Sequence, residues 1–245
     1  MKILLLDIET SPMSVYAWSL FKPHISINQI QDTSRTLCVA YKWLGDKKTQ
    51  FLSEWTHKDM IEQLHTLLDE SDVVVTYNGN RFDLPVLHKE FLLYGLPPPA
   101  PYKSVDLYRT VKAKFRFASN KLDHVAQQLG LGSKTSHYGF EMWIDVMAGN
   151  AKARKLMETY NKQDVILLEK VYNVLLPWIS NHPNHSHHSG SAVCPNCGSK
   201  HLQHRGVSIT SLGRYKRFQC QDCGKWSKAA KAETPNKKET RIVSL

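Results

Sequence analysis

The chain has 245 residues, 42% of them hydrophobic, which is enough for one well-packed core and a small accessory module. Its apolar runs are far shorter than a membrane span, and the first of them, residues 3–6, is too short for a signal peptide, so we expect a cytoplasmic protein with no membrane partner. The formal charge of +10 is concentrated in residues 191–245, where 11 Lys and Arg stand against 3 Asp and Glu, and this excess predicts a polyanionic partner, most simply nucleic acid.

The first predicted element is a buried strand, "KILLLDIE", which ends in two acids separated by one residue. Side chains alternate across a strand, so Asp7 and Glu9 point to the same face, about 6–7 Å apart along the backbone. Two carboxylates this close repel each other unless a cation lies between them, and paired oxygen ligands suit Mg²⁺ or Mn²⁺. The alternative is a strand end that simply exposes two acids to solvent, and these residues alone favour it.

A long connection, "TSPMSVYAWSLFKPHISINQIQDTSR", follows this strand and carries Tyr16, Trp18 and Phe21. Exposed aromatic side chains beside a metal site could stack a terminal base. They could equally close one end of the hydrophobic core, and the sequence does not separate these two roles.

The next elements alternate between strands and helices. A hairpin is predicted for "TLCVAYKWLG" and "KTQFLSEW", an amphipathic helix for "HKDMIEQLHTLLDE" and a short buried strand for "DVVVTYN". A helix from about residue 85 to residue 95, a short strand at "SVDLY" and a helix capped by Ser119 or Asn120 come next. Residues 151 to about 179 are strongly helical, as one helix or two. This order predicts a layered α/β or mixed α+β fold.

Two further acids lie in informative patterns. Asp83 follows a buried strand and a turn at residues 78–81, where it could act as the N-cap of the next helix. Tyr160 and Asp164 are four residues apart on a helix, hence neighbours on one face, and that face continues through apolar residues. A buried aspartate needs a partner, because burying an isolated charge is costly. For Tyr160, an ordinary half-buried aromatic is the alternative.

Three motifs, "DIET", "YNGNRFD" and "YNKQD", resemble in this order the exonuclease motifs of the DnaQ-like (DEDD) 3′–5′ exonucleases. The middle motif is most similar to the proofreading exonuclease domain of family B DNA polymerases, and the resemblance covers roughly residues 1–179. It implies an α/β fold of the RNase H-like type, with a mixed sheet flanked by helices. It also implies a catalytic site with two Mg²⁺ or Mn²⁺ ions, whose acidic ligands fall here on Asp7, Glu9, Asp83 and Asp164.

The third motif identifies the subtype of this family. One form has a His five residues before the last Asp and the other has a Tyr four residues before it; position 159 is Thr and position 160 is Tyr, which is the tyrosine form. By analogy with the family, Tyr160 is a catalytic residue that orients the attacking water, since an ordinary pKa near 10 makes it a poor base at neutral pH. Asn78 and Phe82 fall on positions that support the site or contact the substrate, with core packing favoured for Phe82.

Four cysteines near the end form two C-x₂-C pairs that are 22 residues apart. A Gly follows each pair and allows the tight turn that aims two thiolates at one ion. Four thiolates make a closed tetrahedral site for one structural Zn²⁺, as in a zinc ribbon, whereas a thioredoxin-like redox role would need a single pair in an α/β context. The predicted zinc ligands are Cys194, Cys197, Cys220 and Cys223.

The segment between the cysteine pairs predicts two short strands on which cations alternate with aromatic residues. Arg214, Tyr215 and Arg217 lie in this pattern, which is typical of surfaces that bind single-stranded nucleic acid. A purely structural ribbon with solvated charges and a protein-docking module are the alternatives. The sequence thus divides into a catalytic domain (1–179), a flexible linker (180–192), a zinc ribbon (193–228) and a basic tail (229–245).

Together these features predict a stand-alone, metal-dependent 3′–5′ exonuclease that acts on the 3′ ends of single-stranded DNA. An RNA-trimming exoribonuclease of the same superfamily is the second hypothesis, because the sequence does not show how a 2′-OH would be sensed. A catalytically idle nucleic-acid-binding protein is the third, although the presence of all four acids and the tyrosine argues against it.

Overall fold

The computed structural model describes residues 1–21, 24–211 and 213–233, apart from the side chain of His188. The chain divides into two compact units, Met1–Asn173 and a second unit that begins at Val174. Most of the predicted basic tail, residues 234–245, lies outside the described residues. Within the described ranges, no helix combines the length and the apolar content needed to cross a membrane.

The first unit is built on a five-stranded mixed sheet with the order β5-β4-β1-β6-β7. In chain order the strands of this unit are β1 (Ile3–Thr10), β2 (Ser14–Val15), β3 (Ile30–Asp32), β4 (Thr36–Trp43), β5 (Gln50–Ser53), β6 (Val73–Thr76) and β7 (Lys103–Asp106). The β4–β5 hairpin is confirmed, and β2 and β3 pair as a separate two-stranded ribbon. The pairs β1–β4 and β4–β5 are antiparallel, whereas β1–β6 and β6–β7 are parallel.

Strand β1 is central, and its second half has only one neighbouring strand. Its register with β4 continues to Thr10, whereas its parallel register with β6 ends where Leu5 meets Val75. Residues 3–6 are buried on both faces, as expected for a central strand with helices on both sides. Beyond Leu6, the main-chain groups of β1 on the side of β6 have no strand partner, so side chains can form hydrogen bonds with them.

The described residues of the first unit form six α-helices, and helices pack on both faces of the sheet. They are α1 (Met60–Asp69), α2 (Asp83–Leu93), α3 (Leu107–Lys114), α4 (Leu122–Gln128), α5 (Glu141–Met147) and α6 (Ala151–Leu175). Ile8 of β1 lies in one core cluster with Leu64 of α1 and Leu87 of α2. Cys38, which is paired with Glu9 and so faces the other way, packs with Met142 of α5 and Met157 of α6. The predicted sheet with helices on both faces is confirmed.

The helix boundaries correct two local expectations and resolve a third that the sequence leaves open. Asp83 is the first residue of α2 rather than its N-cap, which is Phe82. Helix α4 begins at Leu122 after Lys121, later than the expected start. The last predicted helical region is a single 25-residue helix, α6, followed by one turn of 3-10 helix at Leu176–Trp178, where Pro177 cannot continue the α-helical hydrogen bonding.

The second unit contains a three-stranded antiparallel sheet with the order β10-β9-β8. Its elements are α7 (His185–Ser189), β8 (Leu202–Thr210), β9 (Gly213–Cys220) and β10 (Trp226–Lys228). Helix α7 lies in the segment predicted as a flexible linker, and the Asn184 side chain caps it by accepting from the Ser186 N–H at 2.9 Å. The local signal of an Asn cap outweighs the loop-forming composition of this segment.

Candidate functional site

Two of the predicted acids lie on the second half of β1. Asp7 and Glu9 alternate with buried apolar residues and point to the face of the sheet that packs with α5 and α6. They meet Asp164 of α6, so that one carboxylate oxygen of each lies within 4.8 Å of the others. The structure therefore brings together three of the four predicted acids.

The fourth acid, Asp83, lies at the start of α2 and is buried. Its Oδ1 accepts a hydrogen bond from the Ile8 N–H at 3.1 Å, at the part of β1 that has no partner in β6. The carboxylate takes the place of a missing strand neighbour, and a hydrogen bond of this charged kind contributes about 1.5–3 kcal/mol. This bond holds Asp83 close enough to Asp7 for their charges to interact.

A lysine outside the three motifs belongs to the same cluster. Lys134 Nζ donates to Asp164 Oδ2 at 2.5 Å and to the Tyr160 hydroxyl at 3.2 Å. The other oxygen of Asp164, Oδ1, is buried and has no hydrogen-bond partner among the described residues. A buried carboxylate oxygen without a donor fits a position that faces a cation. Lys134 lies in a loop without a recognisable motif, so no sequence pattern indicates its place in the site.

Burial and mutual repulsion disfavour the charged form of these acids despite Lys134. Burial raises the pKa of Asp7 well above its ordinary value, and the carboxylates around it raise that pKa further. Burial, reinforced by Asp164, raises the pKa of Glu9 to about 8, and burial raises the pKa of Asp83 to about 7. Burial also raises the pKa of Asp164, against the opposing effect of Lys134. A divalent cation would relieve this repulsion, so the donor set fits Mg²⁺ or Mn²⁺.

Tyr160 lies nearly buried on α6, one turn from Asp164. Its ring meets His137 and Trp143 edge-on, with centroid distances of 5.1 and 6.3 Å. Burial, followed by the charge of Asp164, raises the pKa of Tyr160 to about 12, so its hydroxyl is protonated at neutral pH. The hydroxyl can therefore position a neighbouring group by hydrogen bonding, but it cannot serve as a base.

Asn161 connects the third motif to the first. This fully buried side chain donates from Nδ2 to the main-chain oxygen of Asp7 at 3.0 Å and to Asp7 Oδ2 at 2.7 Å. The two bonds join α6 to β1 and restrict the rotamer of Asp7. The residue lies within "YNKQD", but its partner is 154 positions away, so its role becomes visible only in the fold.

The turn of the second motif is held by a buried acid that caps the next helix. Asp106 accepts from the main-chain N–H groups of Asn78 and Asn80, at 2.9 and 3.3 Å, and from that of Tyr108 at the start of α3, at 3.0 Å. Within the turn only glycine fits at position 79, because a Cβ there would lie 2.3 Å from the Thr76 Oγ1. The turn is therefore a rigid support beside the acids.

A cavity of about 710 Å³ lies beside Asp7 and is lined by both predicted substrate-contact residues of the second motif, Asn78 and Phe82. Phe82 is 44% exposed, so the expectation that it packs in the core is wrong. Helix α2 begins one residue after Phe82, and it is the buried Leu84 and Leu87 of this helix that fill the core.

In the long connection after β1, one of the two roles expected for the aromatic side chains is wrong. Tyr16, Trp18 and Phe21 are 69%, 99% and 87% exposed, so they do not close the core. The ribbon formed by β2 and β3 holds the base of this segment, where the Tyr16 N–H donates to the Gln29 oxygen at 2.9 Å. The base-stacking role for these side chains stays a prediction.

In the second unit the four cysteines converge. Two sulfur pairs, Cys194 with Cys223 and Cys197 with Cys220, are each 3.6 Å apart, and all four sulfurs lie within 4.8 Å of one another. A tetrahedron with Zn–S bonds of about 2.3 Å has edges of about 3.8 Å, so the donor set fits Zn²⁺. A glycine with positive φ follows each pair, as the turn requires.

The residues predicted to bind nucleic acid through the ribbon lie on β9. The Arg217 guanidinium lies 5.0 Å from the centre of the Trp226 ring, and Lys228 Nζ lies 4.2 Å from the centre of the Tyr215 ring. Arg214 is exposed, with Nε 3.7 Å from a carboxylate oxygen of Glu233. The sheet thus presents cations stacked on aromatic faces.

Comparisons with known proteins agree with this geometry. The sequence model of one family, RNase_H_2, described as RNase_H superfamily, matches residues 4–176. No curated protein sequence matches the chain significantly. Among solved structures, the family B DNA polymerase from the hyperthermophilic archaeon Pyrobaculum calidifontis is similar, with a TM-score of 0.53 and 20% sequence identity. The match covers 72% of this chain but only 24% of the polymerase, so it shows a shared fold over about a quarter of that protein.

Proposed function

The chain belongs to the RNase H superfamily, as the family match over residues 4–176 shows, and we propose on this basis that it is a metal-dependent nuclease that removes nucleotides from the 3′ ends of single-stranded DNA. The fold predicted from the three motifs, an RNase H-like sheet flanked by helices, is confirmed. Membership of this superfamily supports a nuclease and a nucleic-acid substrate. The polarity, the single-stranded substrate and the two-metal mechanism are our proposal.

The observation that carries the proposal is the convergence of the acids. Asp7 and Glu9 come from a strand and Asp164 from a helix more than 150 residues later, yet their carboxylates lie within 4.8 Å of one another. Burying several carboxylates together is unfavourable unless they bind a cation. A structural role alone does not account for such a cluster, whereas metal-assisted phosphodiester hydrolysis uses acids of this kind as metal ligands.

In the proposed site the four acids hold the metal ions and the remaining residues orient the reactants. Two bound Mg²⁺ or Mn²⁺ ions would supply activation of a water and neutralisation of the leaving 3′-oxygen. Asp7, Glu9, Asp83 and Asp164 would hold them. Four carboxylates roughly balance the charge of two divalent cations.

Tyr160, Lys134 and Asn161 would act through positioning. The Tyr160 hydroxyl stays protonated and can align the attacking water by one hydrogen bond. The Lys134 ammonium contacts both Tyr160 and Asp164, so it holds the hydroxyl next to the acid cluster. The two hydrogen bonds from Asn161 keep Asp7 in one orientation.

The second unit would provide additional affinity for the strand. Four thiolates at tetrahedral spacing would bind one structural Zn²⁺, and a module this small depends on such a metal for its fold. Cations stacked on Tyr215 and Trp226 are suited to a nucleic-acid backbone and its bases. The alternative for this surface is docking of a protein.

Labelled oligonucleotides test the proposed function. Single-stranded DNA and RNA of the same sequence, labelled at the 5′ end, are incubated with the protein in Mg²⁺, Mn²⁺ or EDTA. We expect a ladder that shortens from the 3′ end, on DNA in preference to RNA and only with a divalent metal. A ladder on RNA alone would support the RNA-trimming alternative. Absence of cleavage in every metal would identify a binding protein.

A further inference from the structure

Two adjoining cavities run along the first unit from the acid cluster. The cavity of about 710 Å³ is lined by Asp7 and Lys134 and also by Lys121. A second cavity, of about 530 Å³, is lined by Arg109 and Lys112 of α3. The two cavities share three lining residues, Asn78, Arg81 and Tyr108. The two cavities therefore adjoin, and we call them together the groove, which includes Asp7 of the acid cluster.

The sequence around this groove is strongly basic. Residues 107–122 contain five Lys and Arg and no Asp or Glu. The nearly even balance of residues 1–190, which have 21 Lys and Arg against 19 Asp and Glu, conceals this local excess. Besides Lys134, which contacts Asp164, four cations line the groove, and we call these four the groove cations: Arg81, Arg109, Lys112 and Lys121.

The groove cations have exposed side chains, and none of them forms an ion pair within the part of the chain that the structure describes. Other lysines of the same unit do find carboxylates, such as Lys42, whose Nζ lies 2.6 Å from Glu169. Unpaired cations gathered along a concave surface create a positive potential that attracts a polyanion. This positive surface adjoins the acid cluster, because the same cavity is lined by Lys121 and Asp7.

The fold holds these cations in defined positions. Arg109 and Lys112 are three residues apart on α3, so they lie on one face, while Leu107 and Val111 are buried on the other. Asp106 caps α3 and also holds the turn before Arg81. One buried carboxylate thus fixes both walls of the groove relative to each other.

We propose that the groove cations bind the backbone phosphates of the part of the strand that remains attached while its end is hydrolysed. This inference rests on the proposed function and narrows its substrate to a polynucleotide strand, since a mononucleotide or dinucleotide would leave the far end of the groove unused. Phe82 and the partly buried Tyr108 line the groove, and Phe82 is 44% exposed, which suits an aromatic ring that stacks with an unpaired base. On this proposal, the first unit binds the substrate strand without requiring the zinc ribbon.

The test compares two charge-reversal variants of the full-length protein. Arg109→Glu/Lys112→Glu changes the groove, and Lys47→Glu/Lys48→Glu changes an exposed turn between β4 and β5 by the same net charge. Binding of a 12-nucleotide oligothymidylate is measured by fluorescence anisotropy in EDTA across a salt series, so that the result does not depend on cleavage. Melting temperatures show that both variants remain folded.

We expect the groove variant to bind the strand at least about tenfold more weakly than the control variant. Its salt slope should be smaller by about 1.4, because each phosphate contact on a single strand contributes about 0.7. Equal affinities and slopes for the two folded variants would overturn the inference. If the wild-type protein binds with this groove dependence but cleaves no strand in Mg²⁺ or Mn²⁺, the groove proposal stands and the nuclease proposal fails.

Discussion

Metal binding to the acid cluster should depend steeply on pH. The pKa of Glu9 is raised to about 8, against an ordinary value near 4.5, because the side chain is buried beside Asp164. A metal ion must displace the proton that Glu9 holds, so binding weakens as pH falls below about 8. At pH 8 about half of the Glu9 side chains are protonated, and at pH 6 about 99% are, which lowers the apparent affinity about 50-fold, or ~2.3 kcal/mol.

Titration calorimetry with Mn²⁺ at pH 6, 7 and 8 measures this dependence directly. The matched control is Glu62→Gln, which removes an exposed carboxylate of α1 and should leave the pH dependence unchanged. Glu9→Gln should bind Mn²⁺ more weakly at pH 8 and depend less steeply on pH, with the remaining dependence due to the raised pKa values of Asp7 and Asp83. Equal Mn²⁺ affinity of the wild-type protein at pH 6 and pH 8 would refute the reasoning, because it would show that no proton leaves the cluster.

Three further predictions concern the acids, the tyrosine and the zinc site. Asp7→Asn should abolish cleavage yet raise the melting temperature of the metal-free protein at pH 8 by about 2–4 °C. The reason is that a buried carboxyl with a raised pKa destabilises the folded state as pH rises through that pKa and the proton is lost. Calorimetric scanning in EDTA measures the melting temperature, and an unchanged or lower value would contradict this prediction. Tyr160→Phe should keep Mn²⁺ affinity but slow the chemical step by up to about 100-fold, and full single-turnover activity would show that Tyr160 only packs. Cys194→Ser should lose bound zinc, as atomic absorption would detect, and should bind long single strands with a shallower salt slope; an unchanged slope would favour a protein-docking role for the ribbon.

The parts of the site that follow local rules could be predicted from the sequence. Strand alternation placed Asp7 and Glu9 on one face, and helical spacing placed Tyr160 beside Asp164. The positive φ of the glycine after each cysteine pair also follows from short-range geometry. These features need no information about distant parts of the chain.

The parts that depend on long-range packing could not be predicted. Lys134 reaches Asp164 from a loop 30 residues earlier, and nothing in the sequence of that loop indicates its partner. Core packing is the favoured prediction for Phe82, yet this residue is the N-cap of α2 and is 44% exposed. The net charge of residues 1–190 does not reveal the groove cations, because acids elsewhere in that range cancel their charge.

The most direct test of the central claim is single-strand cleavage by the wild-type protein and Asp164→Asn in parallel. A 5′-labelled DNA strand is incubated with each protein in Mn²⁺ at pH 8, and the products are separated by length. The wild-type protein should produce a ladder that shortens from the 3′ end, whereas Asp164→Asn should be slower by at least about 100-fold while remaining folded, since it lacks a metal-binding carboxylate. Equal cleavage by both proteins, or internal cuts by the wild-type protein, would contradict the account.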